Sequence, residues 1–261
     1  MSRLAGAFAK GEGPKLIGYV TAGDPDLARS RDVVNALIRG GADVIEVGVP
    51  FSDPIADGPV IQRASERALA AGGTLATTLE LVADIRQGSD VPIVLFTYVN
   101  PVLRMGVEQF VDRAAAAGVD GVLLLDIPIE ESGEMRAALD RRGIDLIFLI
   151  SPTTTDARMR VAGEQGRGFL YAISRLGVTG TRDAVSVSAQ PLVARIRTAC
   201  DLPVALGFGI SRPEHVREVM TYSDAAVVGS AIVQVIADTA RSGGDVAAAV
   251  EQFVRWLKTG A

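Results

Sequence analysis

Eight short aliphatic runs recur along the chain, and no two lie close enough to form a tight hairpin. They occupy residues 16–22, 44–49, 93–98, 121–128, 146–151, 169–174, 204–209 and 225–230. Successive runs begin 21 to 49 residues apart. A parallel strand pair needs a crossover of a dozen residues or more, and every interval has room for one. Unbroken Val, Ile and Leu is how a strand covered on both faces reads. The core they imply is aliphatic, since hydrophobic residues make up 48% of the chain and aromatics only 5%.

The intervals read as helices. Leu75, Leu79, Val82 and Ile85 recur at helical steps, as do Val33 with Leu37, and Phe110 with Ala114 and Ala117. Val246, Val250, Phe253 and Leu257 mark a last helix, and Leu4 with Phe8 a short N-terminal one. Gly41-Ala42-Asp43, Gly118-Val119-Asp120 and Gly143-Ile144-Asp145 each precede a run, and glycine is the natural helix terminator there. Eight β/α units fit a closed barrel or a doubly wound sheet. A length of 261 residues, the count and the spacing favour a single (β/α)8 barrel, a TIM barrel, over residues 1–261. A short N-terminal helix and extra helices in the βα loops complete it. The two longest intervals, 49 residues after the second run and 35 after the sixth, follow strand C-terminal ends, where barrel active sites lie.

Charge and composition narrow the function. A net charge of −5 with no basic stripe argues against a nucleic-acid ligand. No apolar stretch is long enough for a membrane span, and the N-terminus lacks a signal peptide's apolar stretch. One cysteine, Cys200, precludes an intrachain disulfide, which fits a cytoplasmic location. No metal constellation is evident. The sole histidine, His215, is expected on the surface of a helix over 213–220. Ser211 and Glu214 have the spacing of a capping box for that helix. Schiff-base chemistry needs a buried strand-end lysine, and only Lys15, at the edge of the first run, is near a strand.

Runs seven and eight end in Gly207-Phe208-Gly209 and Val228-Gly229-Ser230. Barrels commonly hold phosphate between these two loops, with backbone amides at a helix start directed at the anion. Gly180, after run six, is placed to add an amide, and Ser230 a hydroxyl. The alternative is that these glycines only form turns. In run two, alternation puts Val44, Glu46 and Gly48 on one face. A carboxyl in a strand buried on both sides has a raised pKa unless it is paired. Such a group serves either in acid/base chemistry or as a structural acceptor, and strand context does not choose. Asp53 and Asp57 share an ordered, proline-bounded loop, and spacing does not choose between them either. Tyr171 offers a phenol to the same mouth, or packs in it.

The 15-residue block from Ile45 to Pro59, IEVGVPFSDPIADGP, resembles the signature of tryptophan synthase alpha chains. The resemblance continues through Thr21-Ala22-Gly23-Asp24-Pro25, Tyr98-Val99-Asn100-Pro101, Asp126-Ile127-Pro128, Ser174 to Gly180, Gly207 to Ile210 and Val228 to Ile232, in the family's order. It implies a carbon–carbon lyase of tryptophan biosynthesis that cleaves indole-3-glycerol phosphate to indole and glyceraldehyde 3-phosphate. No cofactor is implied in this chain. A pyridoxal-phosphate-dependent beta chain is the expected partner, in an alpha2beta2 heterotetramer. By the same resemblance Glu46 is the acid/base group, Asp57 the second catalytic carboxylate, and Tyr171 lies against the reacting centre. Gly180, Gly209, Gly229 and Ser230 then hold the phosphate, and Tyr19, Phe96, Leu123, Phe208 and Val227 wall the indole. The loop over 175–188, with Arg175 and Thr179, is expected to be a lid, the simpler alternative being an ungated surface loop. Asp53 and Pro54 are expected to face the partner. A stand-alone indole-releasing lyase, a lysine-dependent indole-3-glycerol phosphate synthase and a non-catalytic phosphate-binding barrel are the competing readings.

Overall fold

The computed structural model describes residues 2–9, 13–173, 188–207 and 209–260. Eight strands close on themselves in sequence order, every neighbouring pair parallel. They are β1 (Lys15–Thr21), β2 (Val44–Gly48), β3 (Ile93–Thr97), β4 (Gly121–Leu124), β5 (Asp145–Ile150), β6 (Leu170–Ile173), β7 (Val204–Gly207) and β8 (Ala225–Val228). The helices begin with α1 (Arg3–Ala7), α2 (Leu27–Gly40), α3 (Pro59–Ala70), α4 (Leu75–Arg86), α5 (Val99–Met105) and α6 (Val107–Ala117). Then follow α7 (Gly133–Asp140), α8 (Asp156–Gln165), α9 (Ala189–Ala199), α10 (Pro213–Met220), α11 (Ser230–Arg241) and α12 (Val246–Thr259). The chain is thus the TIM barrel expected, and the long interval after β2 holds an additional helix, α3.

Two apolar layers follow from strand alternation. Ile45 and Val47 of β2 point outward into the layer shared with the helices, where Leu37, Leu79, Val82 and Phe110 are buried. Val44 points inward, into a separate cluster with Ile17, Tyr19, Val94, Phe96, Leu123, Ile147, Phe169 and Val227. Helix starts are fixed by Asp26, Thr74, Thr155 and Asp245, whose side chains each accept a first-turn N–H. Gly41 and Gly118 end α2 and α6 in the left-handed region, at φ +99° and +84°. On α12, Val254 joins Val246, Val250 and Leu257 in the buried face, while Phe253 is half-buried against Trp256.

The N-terminal pole is covered by α1. Leu4 of α1 is wholly buried at the barrel base, and Phe8 packs on Phe169 with ring centroids 5.4 Å apart. Ser2 donates to Asp145 and Arg3 to Asp120. The glycine–aspartate turns have a second use that spacing did not reveal. The carboxylates of Asp43 and Asp120 accept the N–H groups of Leu16 and Ile93, at the start of β1 and β3, each at 2.8 Å. Asp224 does the same for Val204 at 2.7 Å. Each aspartate ties the foot of one strand to the foot of the strand before it.

Three expectations are corrected. Runs four and eight overreach: the ladder stops at Leu124 and Val228, because the chain leaves the sheet at the mouth, after β8 directly into α11. His215 is not on the surface; it is buried at 5% exposure, on the inward face of α10 with Val216 and Val219. The capping box does not form. Pro213 sets the helix start and makes Arg212 the N-cap, Ser211 donates its N–H to His215 Nδ1 at 3.4 Å, and Glu214 pairs with Arg217. Lys15 lies in β1 itself, but at its first residue, the end remote from the mouth.

Candidate active site

Glu46 is the central residue of β2, in register with Tyr19 of β1 and Val94 of β3, and alternation turns its side chain into the barrel. It is 0% exposed, and neither carboxyl oxygen has a hydrogen-bond partner among the described residues. With no opposite charge to compensate, burial alone pushes its pKa up to about 8. Two residues on, Gly48 makes space, since a Cβ there would overlap the Tyr19 phenol. Gly207 does the same for Tyr171, whose Oη would lie 2.6 Å from an added Cβ.

Asp57 reaches the same interior from the loop after β2. Ser52, Asp53, Ile55 and Ala56 of that loop are exposed, whereas Asp57 is 3% exposed. A turn from Pro54 O to Asp57 N reverses the chain, and Gln62 of α3 holds the Asp57 carbonyl at 2.9 Å. Pro59 at the start of α3 then carries the chain away. The choice between the two loop aspartates is therefore made by the fold: Asp57 turns in and Asp53 turns out. Tyr98 donates to Asp57 Oδ2 at 3.0 Å, while Oδ1 is buried without a partner among the described residues. Burial raises the Asp57 pKa to about 6, against the opposing pull of the Tyr98 hydroxyl.

The two carboxyls consequently differ in charge at neutral pH. Glu46 is mostly protonated and Asp57 mostly ionised, an acid and an anion in one barrel interior. The phenols of Tyr19 and Tyr171 lie close enough to feel both charges. Burial holds both well above their ordinary values, and the nearby charges of Asp57 and Glu46 push the same way. Both stay neutral. Tyr171 is half-buried on β6, and Tyr19 meets Thr21 through its hydroxyl at 3.2 Å.

The expected indole walls come from consecutive inward positions. Tyr19 and Phe96 meet edge to face at 5.2 Å, Leu123 is the register partner of Phe96, and Val227 of β8 neighbours Ile17 of β1. All four are buried. At the phosphate end, Gly209 follows β7 with φ +76°. Gly229 is the N-cap of α11 and Ser230 its first residue, 9% exposed. The helix supplies its first-turn amides at the mouth with no side chain capping them. Gly180, Phe208, Arg175 and Thr179 lie outside the described residues.

Tyr98 is the site residue whose role sequence reasoning missed. Its signal was present: Val94, Phe96 and Tyr98 share parity on the third run, so two steps beyond Phe96 comes a phenol at the mouth.

The arrangement has close relatives. Residues 6–261 match the family described as tryptophan synthase alpha chain. The tryptophan synthase alpha chain of Solibacter usitatus is 50% identical over 260 residues, covering 100% of this chain and 97% of the relative. That of Methanosarcina acetivorans is 49% identical, covering 94% and 88%. Among solved structures, Mycobacterium tuberculosis tryptophan synthase superposes with a TM-score of 0.90 at 38% identity, covering 99% and 98%. The tryptophan synthase a2b2 complex of Pyrococcus furiosus, a hyperthermophile, gives a TM-score of 0.87 at 39% identity, covering 93% and 97%. On the barrel, the paired carboxyls and these matches together, the chain belongs to the tryptophan synthase alpha chain family.

Proposed function

We infer that this chain catalyses the alpha reaction of tryptophan synthase, cleaving indole-3-glycerol phosphate to indole and glyceraldehyde 3-phosphate. The observation that carries the residue roles is the pair of buried carboxyls held in different protonation states, Glu46 near 8 and Asp57 near 6. The bond to be broken joins indole C3 to the side chain, and indole is a poor leaving group until C3 is protonated. Protonated Glu46 delivers that proton. The ring becomes a cationic indolenine, and Asp57, ionised, stabilises it by accepting the ring N–H. The Glu46 carboxylate then takes the proton of the side-chain hydroxyl. The carbon–carbon electron pair returns to the ring, the hydroxyl carbon becomes an aldehyde, and Glu46 ends protonated as it began. Tyr171 packs against the reacting carbons. Tyr19, Phe96, Leu123 and Val227 hold the ring, joined by Phe208. Gly209, Gly229 and Ser230, with Gly180, hold the phosphate and supply orientation rather than chemistry. No step calls on a bound cofactor; pyridoxal phosphate belongs to the beta partner.

A surface feature favours the partnered enzyme over a stand-alone lyase. Ile55, on the loop that carries Asp57, is 81% exposed, and Leu103 of α5 is 59% exposed. Between loop and helix lies a groove of about 420 Å3 lined by Pro50, Phe51, Leu69, Asn100 and Arg104. A second, of about 270 Å3, includes Asp53, Pro54 and Ile55. An apolar face next to the indole site is where a beta chain receiving that product would sit, in an alpha2beta2 assembly. Indole release from indole-3-glycerol phosphate, measured with and without a beta chain, tests both statements. No indole in either condition refutes the lyase, and full activity without the partner favours the stand-alone enzyme.

A further inference from the structure

Tyr98 makes three contacts that no part of the cleavage chemistry above requires of it. Its hydroxyl donates to Asp57 Oδ2 at 3.0 Å and accepts the Ala56 N–H at 3.0 Å. Its ring lies against Phe51, centroids 5.0 Å apart. The mount is rigid. Tyr98 is 3% exposed and is the extended N-cap of α5, at φ −97° and ψ 160°. The Thr97 hydroxyl donates to its carbonyl at 3.2 Å, and the following residue, Val99, donates its N–H to Asp126 at 2.7 Å. A tyrosine so held has little freedom except rotation of its hydroxyl proton. With the Ala56 N–H occupying one lone pair, that proton is directed at the carboxylate.

We propose that Tyr98 is a positioning residue for the cleavage: it clasps Asp57 Oδ2 to the loop backbone at Ala56 and so presents Oδ1 to the substrate. Oδ1 is the buried oxygen with no partner among the described residues, and thus the one left for an incoming N–H. The clasp also favours the ionised carboxylate that the reaction uses, because a hydroxyl donor bonds the charged form more strongly than the neutral one. It works against a burial that has already raised Asp57 to about 6. Burial keeps the phenol well above its own ordinary value, so it remains a donor rather than an anion.

The inference rests on Asp57 acting as an ionised group, as read above. Two variants test it in the full chain with its beta partner. Tyr98→Phe keeps the ring on Phe51 and removes only the hydroxyl. The acid limb of its kcat/KM profile should move up by about one pH unit or more, the weight of one charge-assisted hydrogen bond. At pH 6 this is a loss of about fivefold or more, which fades as pH rises past the new limb. A ring-fluorinated tyrosine at position 98 is a stronger donor and should move the same limb down. Opposite shifts are not produced by a residue that merely packs. An acid limb unmoved in both variants overturns the proposal, as does a rate loss in Tyr98→Phe that is uniform across pH. If Tyr98→Phe does not fold, the fluorinated protein decides alone. Isotope-edited NMR of the Asp57 carboxyl reads the same shifts without turnover, so an enzyme that releases no indole refutes the proposed function while leaving this test standing.

Discussion

Glu46→Gln should make the protein more stable as pH rises, relative to the native chain, while destroying its activity. The carboxyl moves from the ordinary value of 4.5 to about 8 on folding because burial desolvates it and no described residue offers it a partner. A carboxyl whose folded pKa is raised is harmless below 4.5, where both states are protonated. Above that value the unfolded chain ionises first, and folding must recapture a proton. Stability is lost at about 1.4 kcal/mol per pH unit until the folded carboxyl also ionises near 8. The cumulative penalty is about 3 kcal/mol at pH 7 and approaches about 5 above pH 8, a large share of the roughly 5–15 kcal/mol that holds a domain folded. Glutamine has the same shape and no titration. Its amide is also buried without partners, which costs roughly 1–3 kcal/mol at every pH alike. The pH-independent part cancels when the stability difference between variant and native chain is compared at two pH values. That difference should move in the variant's favour by about 3–4 kcal/mol between pH 5 and pH 8, measured by urea unfolding at each. The other titrating groups are common to both chains and drop out. A difference that stays flat across this range would show that Glu46 is partnered or hydrated in solution, and the acid assignment would lose its physical basis.

Three further outcomes follow from the same geometry. With Glu46 needed protonated and Asp57 ionised, kcat/KM should rise as pH passes about 6 and fall as it passes about 8; a profile flat from pH 5 to pH 9 would contradict the division of roles. Gly48→Ala should drive a methyl into the Tyr19 phenol, lowering stability by roughly 1–3 kcal/mol and raising KM as the ring is pushed toward the indole site; an unchanged KM would show that the Tyr19 ring does not border the substrate. Asp120→Asn should strip the charge partner from Arg86, leaving Arg3 only Asp90, and cost roughly 2–3 kcal/mol in thermal or urea unfolding, less than a full buried pair because Arg86 keeps the carbonyls of Gly118, Ser89 and Val91; turnover per folded molecule should be untouched, and a lowered kcat would mean the base of the barrel reaches the site.

The barrel was legible because its evidence is local. Aliphatic runs, helical steps and glycine stops each occupy a few consecutive residues, and the elements they foretell are all present. The errors lie where a distant contact decides. His215 carries no local mark of burial, and what encloses it is the inward face of a helix whose start Pro213 fixes. Glu46 could be placed inside by alternation, but whether it had a partner depended on seven other strands. Asp53 and Asp57 are four residues apart on one loop, and nothing between them says which turns in. Tyr98 and Gln62 say it, and Tyr98 lies 41 residues away along the chain.

The same residue type has opposite fates at the two poles, and the contrast explains how this chain combines a stable barrel with an unstable site. At the base, Asp43, Asp120 and Asp224 each accept a strand N–H, and Asp43, Asp120 and Asp224 also meet Lys258, Arg86 and Arg197. Such carboxylates are satisfied and cohesive. At the mouth, among the described residues, Glu46 has neither oxygen satisfied and Asp57 only one. A partner for Glu46 would remove the penalty described above. It would also draw the pKa back toward 4.5, and at neutral pH there would be no proton left to give to indole C3. On the proposed role of Glu46, its lack of partners among the described residues is what keeps the acid protonated. The barrel tolerates them because the parallel ladder and the aspartate ties at its other end hold each strand without help from the mouth.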